Sequence, residues 1–366
     1  MEHTESFTTA ERLLFSKAKQ NKLPLNGSLE LLPLCNMNCD MCYVRLSREE
    51  MERQGHLRSV DEWLTVAEQM KKTGTLFLLL TGGEPLLYPD FKKLYLKLLE
   101  MGMIITINTN GTLIDEEYAS FFGAHKPRTI NITLYGADEQ AYTDLCHYPG
   151  GFHKVVNAIT HLQKNGVDIK LSSSLTQTNQ SEMSKIIDFG NALNIPVRVD
   201  TYMLPAVRER NKPFNLQSRS NPVDAARIRI QCLKKEMGDE LFSQYRTAIL
   251  AEISSSTSEN GYTDHVSCYA GNCSFTINWQ GEMRPCVVMS EPAVSVFDVG
   301  FEKAWKYIVE ETAKITINTK CSRCSLRPLC RTCAACALLE SGFYDGMPEY
   351  MRQYAEKSYE FLLESD

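Results

Sequence analysis

Between about residue 27 and residue 203 the chain alternates short apolar, β-favouring runs with longer stretches of helical periodicity. Consecutive parallel strands need a crossover and a helix usually supplies it, so this rhythm confines the segment to repeated βα units around a parallel sheet. Six strands are predicted, at residues 28–34, 75–80, 103–108, 129–134, 168–175 and 196–202. Helices are predicted between them at 59–73, 89–101, 115–122, 137–145 running on into 152–166, and 179–193; the first starts with Ser59 and Glu62 at capping-box spacing. After Tyr202 the rhythm breaks. Residues 208–222 read as a polar loop, 223–254 as one or two helices, and 254–258, nearly all serine, as a flexible connector. Closely spaced cysteines then replace the hydrophobic periodicity, up to a last helix at 349–363. The expected fold is α/β, organised as a short N-terminal segment (1–26), a partial (β/α)6 barrel of the TIM type (27–204), a linker and helical insertion (205–260) and a Cys-rich C-terminal domain (261–366).

Composition narrows the function classes. A net charge of −6 gives no electrostatic reason to expect a nucleic acid partner. The aliphatic run Leu76-Phe77-Leu78-Leu79-Leu80 is far shorter than the ~20 residues that cross a bilayer. The start, Met1-Glu2-His3-Thr4-Glu5, lacks a signal peptide's basic and apolar regions. The expectation is a cytoplasmic protein with no membrane partner. In that reducing compartment its 13 cysteines are ligands or catalysts rather than disulfides.

Three of them, Cys35, Cys39 and Cys42, sit in a loop directly after the first strand, at spacings of four and three. Three thiolates are one short of the four that close a structural zinc or iron–sulfur site, so one metal coordination position stays open. The plain alternative is a zinc site completed by a distant His or Cys. The seven histidines show no ligand spacing.

This loop, followed by Tyr43, resembles the signature of radical S-adenosylmethionine (radical SAM) enzymes. The resemblance implies a 4Fe–4S cluster on the three cysteines, its fourth iron chelated by S-adenosylmethionine, which is cleaved to methionine and a 5′-deoxyadenosyl radical. Thr81-Gly82-Gly83-Glu84-Pro85, after the second strand, resembles the family's GGE motif. It implies that Gly82 and Gly83 let backbone approach the methionine amino group and that Glu84 offers it a carboxylate. Tyr43 would pack on adenine. Asn110 after the third strand, Thr133 at the end of the fourth, Ser173 on the fifth and Arg198 on the sixth complete the implied cofactor-binding set. Each of these is ordinary alone, as a turn or a solvated strand residue. Together they converge on the C-terminal ends of successive strands, where αβ barrels carry their chemistry.

The remaining cysteines divide into eight near the C-terminus (Cys268, Cys273, Cys286, Cys321, Cys324, Cys330, Cys333 and Cys336) and two left over, Cys146 and Cys232. Eight thiolates make two four-ligand sets. Gly281-Glu282-Met283-Arg284-Pro285-Cys286 and the Cys321, Cys324, Cys330 spacing resemble the SPASM domain, an extension of peptide-modifying radical SAM enzymes with two auxiliary 4Fe–4S clusters. Residues 274–284 would be its hairpin, with Gly281 in the turn. By resemblance Cys268, Cys273 and Cys286 hold one cluster and Cys321, Cys324 and Cys330 the other. Cys333 and Cys336 depart from the family spacing, which leaves their assignment open. A pair of zinc ribbons is the alternative reading of the same spacing.

With three 4Fe–4S clusters and S-adenosylmethionine implied, the expected function is oxidative modification of a ribosomally synthesised peptide, closing a thioether or carbon–carbon cross-link. Peptide epimerisation, with Cys146 or Cys232 as hydrogen-atom donor, and formylglycine formation, with Asp200 as general base, are the enzymatic alternatives. An iron–sulfur or zinc protein without enzymatic activity is the other class. The implied partners are a peptide substrate and a low-potential electron donor of the flavodoxin or ferredoxin type. Only 34 residues precede Cys35, fewer than the roughly 40 an independent domain needs. The leader is therefore expected to bind a separate protein or the 208–254 insertion, or not to be required.

Overall fold

The computed structural model describes residues 7–204, 218–255, 264–330 and 332–365. Six parallel strands, β1 (Asn26–Glu30), β2 (Phe77–Thr81), β3 (Ile104–Thr109), β4 (Thr129–Thr133), β5 (Ile169–Ser174) and β6 (Val197–Asp200), lie side by side in sequence order. The helices Val60–Thr73, Phe91–Glu100, Glu116–Ala124, Glu139–Cys146, Gly151–Lys164 and Met183–Ala192 connect them. The α/β partial barrel expected from the sequence rhythm is the fold observed.

Strand alternation separates the two faces of this sheet. On β3, β4 and β5 every second residue is buried: Ile105 and Ile107, Ile130 and Ile132, Leu171 and Ser173. The apolar members of this series share a core with Trp63, Phe91, Tyr95, Phe122 and Ile186. The intervening positions, among them Asn108, Thr133 and Ser174, are half-buried and face the other way.

β1 is shorter than the predicted 28–34. Residues 31–34 still run beside the end of β2, with Leu31 N donating to Thr81 O (2.9 Å), Gly83 N to Leu32 O (2.7 Å) and Glu84 N to Leu34 O (2.9 Å). Pro33 has no N–H to continue a ladder, so the regular strand stops. This crossing is tight. A Cβ on Gly82 would lie 2.5 Å from Leu32 O, and one on Gly83 would lie 2.2 Å from Leu34 O. Gly82 also has φ +146°, which favours glycine.

The sheet continues past β1. Strand β7 (Ser274–Ile277) pairs parallel with β1, followed by β8 (Glu282–Arg284) and β9 (Val294–Ser295) in antiparallel pairing. The expected 274–284 hairpin forms, with Gly281 at φ +91° in its turn. Its annealing to the barrel edge is not foretold by cysteine spacing. The N-terminal segment carries a helix, Thr9–Gln20, started by a Thr8/Glu11 capping box. Phe15 and Ala18 of that helix pack with Phe77 and Cys273. A further unpredicted helix, Arg48–Gln54, follows the first cysteine loop and begins with a Ser47/Glu50 capping box.

The stretch Pro222–Ser255 is two helices broken at Gly238 (φ +73°). Ile230, Leu233, Phe242 and Ile253 pack against Ala355 and Leu362 of the final helix Glu349–Glu364. Most of the expected 208–222 loop and of the serine connector lies outside the described residues. Among the described residues no helix is long and apolar enough to cross a membrane.

Gly83→Ala should destabilise the protein by about 2 kcal/mol, because its Cβ meets backbone that cannot step aside. The measurement is urea unfolding under anaerobic conditions, read as a lower midpoint at unchanged slope; an unchanged midpoint would show that the crossing is looser than described.

Candidate active site

The loop from Cys35 to Cys42 leaves the tight β1–β2 crossing at the C-terminal ends of the strands. It is pinned from two sides. On one side, Asn110 Nδ2 donates to Asn36 Oδ1 (2.8 Å) and reaches Cys35 Sγ (3.6 Å), while Asn36 Nδ2 donates to Thr112 Oγ1 (2.8 Å). On the other, the C-terminal end of the helix Glu139–Cys146 accepts from the loop: Asn38 N donates to Cys146 O (3.0 Å) and Asp40 N to Leu145 O (3.1 Å). His147 Nε2 pairs with Asp40 Oδ1 at 2.9 Å. Within the loop, Met37 N donates to Cys35 Sγ (3.4 Å), and Arg45 N donates to Cys42 Sγ (3.3 Å).

A cavity of about 240 Å³ opens above the loop. Cys35, Cys39, Cys42 and Tyr43 line one wall, Gly82 and Gly83 another, and Asn108, Asn110, Thr133, Tyr135 and Ser174 line the strand ends. Of the cofactor-binding residues expected from sequence, Tyr43, Gly82, Gly83, Asn110 and Thr133 are thus brought together around one space. Burial pushes the Cys35 thiol up to about 12, with Glu84 and the neighbouring Cys42 and Cys39 adding to the effect. A thiolate is costly at such a place until a cation sits beside it. Three cysteine sulfurs facing one open cavity therefore fit a metal cluster held at three corners.

The structure places three of the expected residues differently. Glu84 is fully buried and does not line the cavity. Its Oε1 accepts from Thr109 Oγ1 (2.8 Å) and Leu86 N (3.1 Å), and its Oε2 accepts from Asn110 N (2.8 Å). The carboxylate therefore braces the end of β3 against the turn after β2. Ser173 is buried on the opposite face of β5, beside Leu171, and its hydroxyl has no hydrogen-bond partner among the described residues. Ser174 is the residue that reaches the cavity; the period-two alternation of the strand would have indicated it. Cys146 is fully buried beneath the cysteine loop, and burial, with Cys39 beside it, pushes its thiol well above the ordinary range. It is not among the cavity-lining residues, so this packing does not present it as a hydrogen-atom donor. Cys232 is likewise fully buried and donates to Glu236 Oε1 at 3.3 Å.

Arg198 and Asp200 sit two residues apart on β6, with Arg198 Nη2 2.9 Å from Asp200 Oδ1. They line a second cavity, which shares Met41, Tyr43 and Ser174 with the first and reaches Val287 and Val288, just after Cys286.

The C-terminal cysteines gather in two neighbourhoods. Cys286 packs with Ala334 and Ala335, the residues after Cys333. Burial pushes its thiol up to about 12, and Cys333 and Cys268 add to this. Cys336 packs beside Cys330. Cys321 is raised by burial and then by Cys330 and Cys324. The Cys268–Cys273 turn is fixed by Asn272, whose Nδ2 donates to Cys268 O (2.9 Å), and by Lys19 and Lys22, which donate to Ser267 O and Asn272 Oδ1. Among the described residues no three Cys, His, Asp or Glu side chains converge closely enough to hold a single metal ion.

Residues 29–189, the segment that builds this cavity, match the family model of the Radical SAM superfamily. This segment is a radical SAM domain. The chain is an enzyme that carries it. One relative of this radical SAM protein, an AdoMet-dependent heme synthase of Methanosarcina barkeri, is 24% identical over 332 residues, spanning 86% of this chain and 92% of the relative. The solved structure of native anSMEcpe with bound AdoMet superposes with a TM-score of 0.69 at 18% identity, covering 93% of this chain and 98% of that one. Streptococcus suis SuiB bound to its precursor peptide SuiA superposes with a TM-score of 0.64 at 17% identity, covering 95% and 82%. At these identities the superpositions show a shared fold.

The buried Glu84 carboxyl gives this radical SAM domain a testable pH signature. Burial raises it from 4.5 to about 7, against the pull of its three donors. Between those values the native carboxyl keeps a proton that the unfolded chain has released, so stability falls as pH rises through that window. Glu84→Gln removes the titration. The thermal midpoint of the variant relative to the parent should climb from pH 5 to pH 7 in a paired melting series, and a constant difference would contradict the raised value.

Proposed function

We propose that this radical SAM enzyme oxidatively modifies a residue of a ribosomally synthesised peptide, forming a thioether or carbon–carbon cross-link. The observation that carries the reading is the continuity of the two cavities, which runs from the three-cysteine loop to the residues beside Cys286. Cys35, Cys39 and Cys42 would hold a 4Fe–4S cluster. When bound with S-adenosylmethionine, that group supplies one-electron cleavage to methionine and a 5′-deoxyadenosyl radical. The chain's own residues prepare the place for it. Asn110 and the end of the helix Glu139–Cys146 fix the loop, Gly82 and Gly83 form a side-chain-free wall, and Tyr43 offers an aromatic face at the rim.

The packing of the C-terminal cysteines supports sorting them into Cys268, Cys273, Cys286 and Cys333 for one auxiliary cluster and Cys321, Cys324, Cys330 and Cys336 for the other. In a SPASM-type arrangement these sets would accept the electron a substrate radical gives up when it closes a bond. The similarity in fold to SuiB, solved with its precursor peptide, supports a peptide substrate. The match along 92% of the heme synthase supports a second reading, in which the substrate is a tetrapyrrole precursor of haem.

The reduced enzyme, incubated with S-adenosylmethionine and the small peptides encoded beside its gene, should yield 5′-deoxyadenosine and a peptide lighter by about two hydrogens. A tetrapyrrole consumed under the same conditions, with every peptide unchanged in mass, would replace the first reading with the second.

A further inference from the structure

The end of the helix Thr9–Gln20 and the residues just after it lie against the Cys268–Cys273 turn, which is remote from them in sequence. Cys273 is fully buried there among Phe15, Ala18, Leu25 and Phe77, and its carbonyl accepts from Asn26 N at the start of β1 (3.1 Å). Two lysine head groups reach the same turn. Lys19 Nζ donates to Ser267 O, and Lys22 Nζ donates to Asn272 Oδ1. Asn272 passes the contact on through its Nδ2, which donates to Cys268 O (2.9 Å). Both lysines are thus tied to residues that adjoin the two cysteines.

A lysine at a helix C-terminus is ordinary because it suits the helix dipole, and Lys17 in the same turn needs no other reason. Lys22 does need one. Its φ is +55°, in the left-handed region where glycine or asparagine is the least strained choice, and Trp305 Nε1 fixes that bend by donating to its carbonyl (2.7 Å). A residue kept against its backbone preference points to a use for its side chain. The use that the surroundings offer is electrostatic. Burial pushes the Cys273 thiol up to about 11 and Cys268 adds to this, while Lys19 and Lys22 pull the other way. Four thiolate ligands leave a 4Fe–4S cluster negatively charged, and each electron it accepts adds to that charge. Cations held close by therefore stabilise the reduced cluster more than the oxidised one.

We infer that Lys19 and Lys22 are positioning residues for the auxiliary cluster that Cys268 and Cys273 help to hold: they fix the turn and, through their two positive charges, raise the potential at which that cluster takes an electron. The inference rests on the sorting of Cys268, Cys273, Cys286 and Cys333 into one set, and it adds the part played by the N-terminal segment. Both lysines lie outside the matched segment 29–189 and far from the cysteine-rich region in sequence. The step they favour is a one-electron transfer. As the new bond closes, the substrate radical loses an electron and a proton, and the cluster gains the electron.

The test is an anaerobic redox titration of the full-length chain, reconstituted with iron and sulfide and reduced stepwise with dithionite. Cys35, Cys39 and Cys42 are replaced by alanine, so that electron paramagnetic resonance reports the C-terminal clusters alone. Two midpoints are expected. Lys19→Met combined with Lys22→Asn should lower one of them by about 59 mV, a tenfold shift in the oxidised-to-reduced ratio for one electron, and leave the other in place. Lys19→Arg combined with Lys22→Arg keeps both charges and should keep the parent value. Lys22→Asn alone should move the midpoint in the same downward direction while the melting temperature holds or rises, because asparagine tolerates the left-handed bend; a purely structural lysine would not divide the two readouts in this way. Midpoints unmoved in the Met/Asn double variant, an equal fall in both, or a fall as large in the arginine pair would overturn the inference. Failure at the level beneath is distinguishable. Zinc in place of iron and no auxiliary midpoint at all would remove the cluster sorting and this inference with it, whereas two midpoints that ignore the lysines would remove this inference alone.

Discussion

The carboxylate of Glu84 is the interaction on which the rest of the site depends. It is wholly buried, yet it collects three donors from two neighbouring strand ends: Leu86 N, Thr109 Oγ1 and Asn110 N. Burying a carboxyl is unfavourable without such partners, and removing the acceptor would leave three buried donors unmet. Through Asn110 the brace continues to Asn36 and Cys35, and through its own backbone N–H it reaches Leu34, the residue before the first cysteine. One side chain thus sets the relative positions of β2, β3 and the cysteine loop. The two glycines ahead of it make the crossing possible by admitting the backbone of 31–34 where a Cβ has no room.

A second constraint is the attachment of the C-terminal region to the barrel edge. β7 pairs with β1 over four residues, so the hairpin is part of the same sheet that holds the first loop. That pairing carries Cys286 and the two valines after it to the mouth of the barrel, and it brings Cys273 under the N-terminal helix, where Phe15 and Phe77 enclose it. The contact between the helix pair Pro222–Ser255 and Glu349–Glu364 closes the other flank. Arg219, nearly buried, ties this region to Glu340 and stacks 3.5 Å from the Tyr350 ring centroid.

The barrel was legible in the sequence because its signals are local. Alternating β runs, capping boxes such as Ser59/Glu62, and turn glycines each act within a few residues, and six of six predicted strands appear near their places. The cysteine loop was legible for the same reason, since three ligands within eight residues need no tertiary information. What was not legible depends on contacts between distant segments. The direction of Glu84 follows from Thr109 and Asn110, some 25 residues away, and the seat of Cys146 follows from the loop at 38–40. The choice of Ser173 over Ser174 was a different kind of miss, because the period of two was available and settles which serine faces inward. The sorting proposed for Cys333 and Cys336 depends on the short helix Ala334–Ser341, whose first residues pack with Cys286 and whose Cys336 lies among residues that also pack Cys330.

The central claim is that the loop of Cys35, Cys39 and Cys42 carries a cluster with an open iron, distinct from two closed sets in the C-terminal region. Electron paramagnetic resonance of the dithionite-reduced protein, with and without S-adenosylmethionine and alongside iron analysis, tests it most directly. The account predicts about 12 iron atoms per chain and a signal component shifted by S-adenosylmethionine. Replacing the three cysteines by alanine should abolish that component and leave about 8 iron atoms. A shifted component that survives the triple replacement, or an iron count that does not fall, would contradict it.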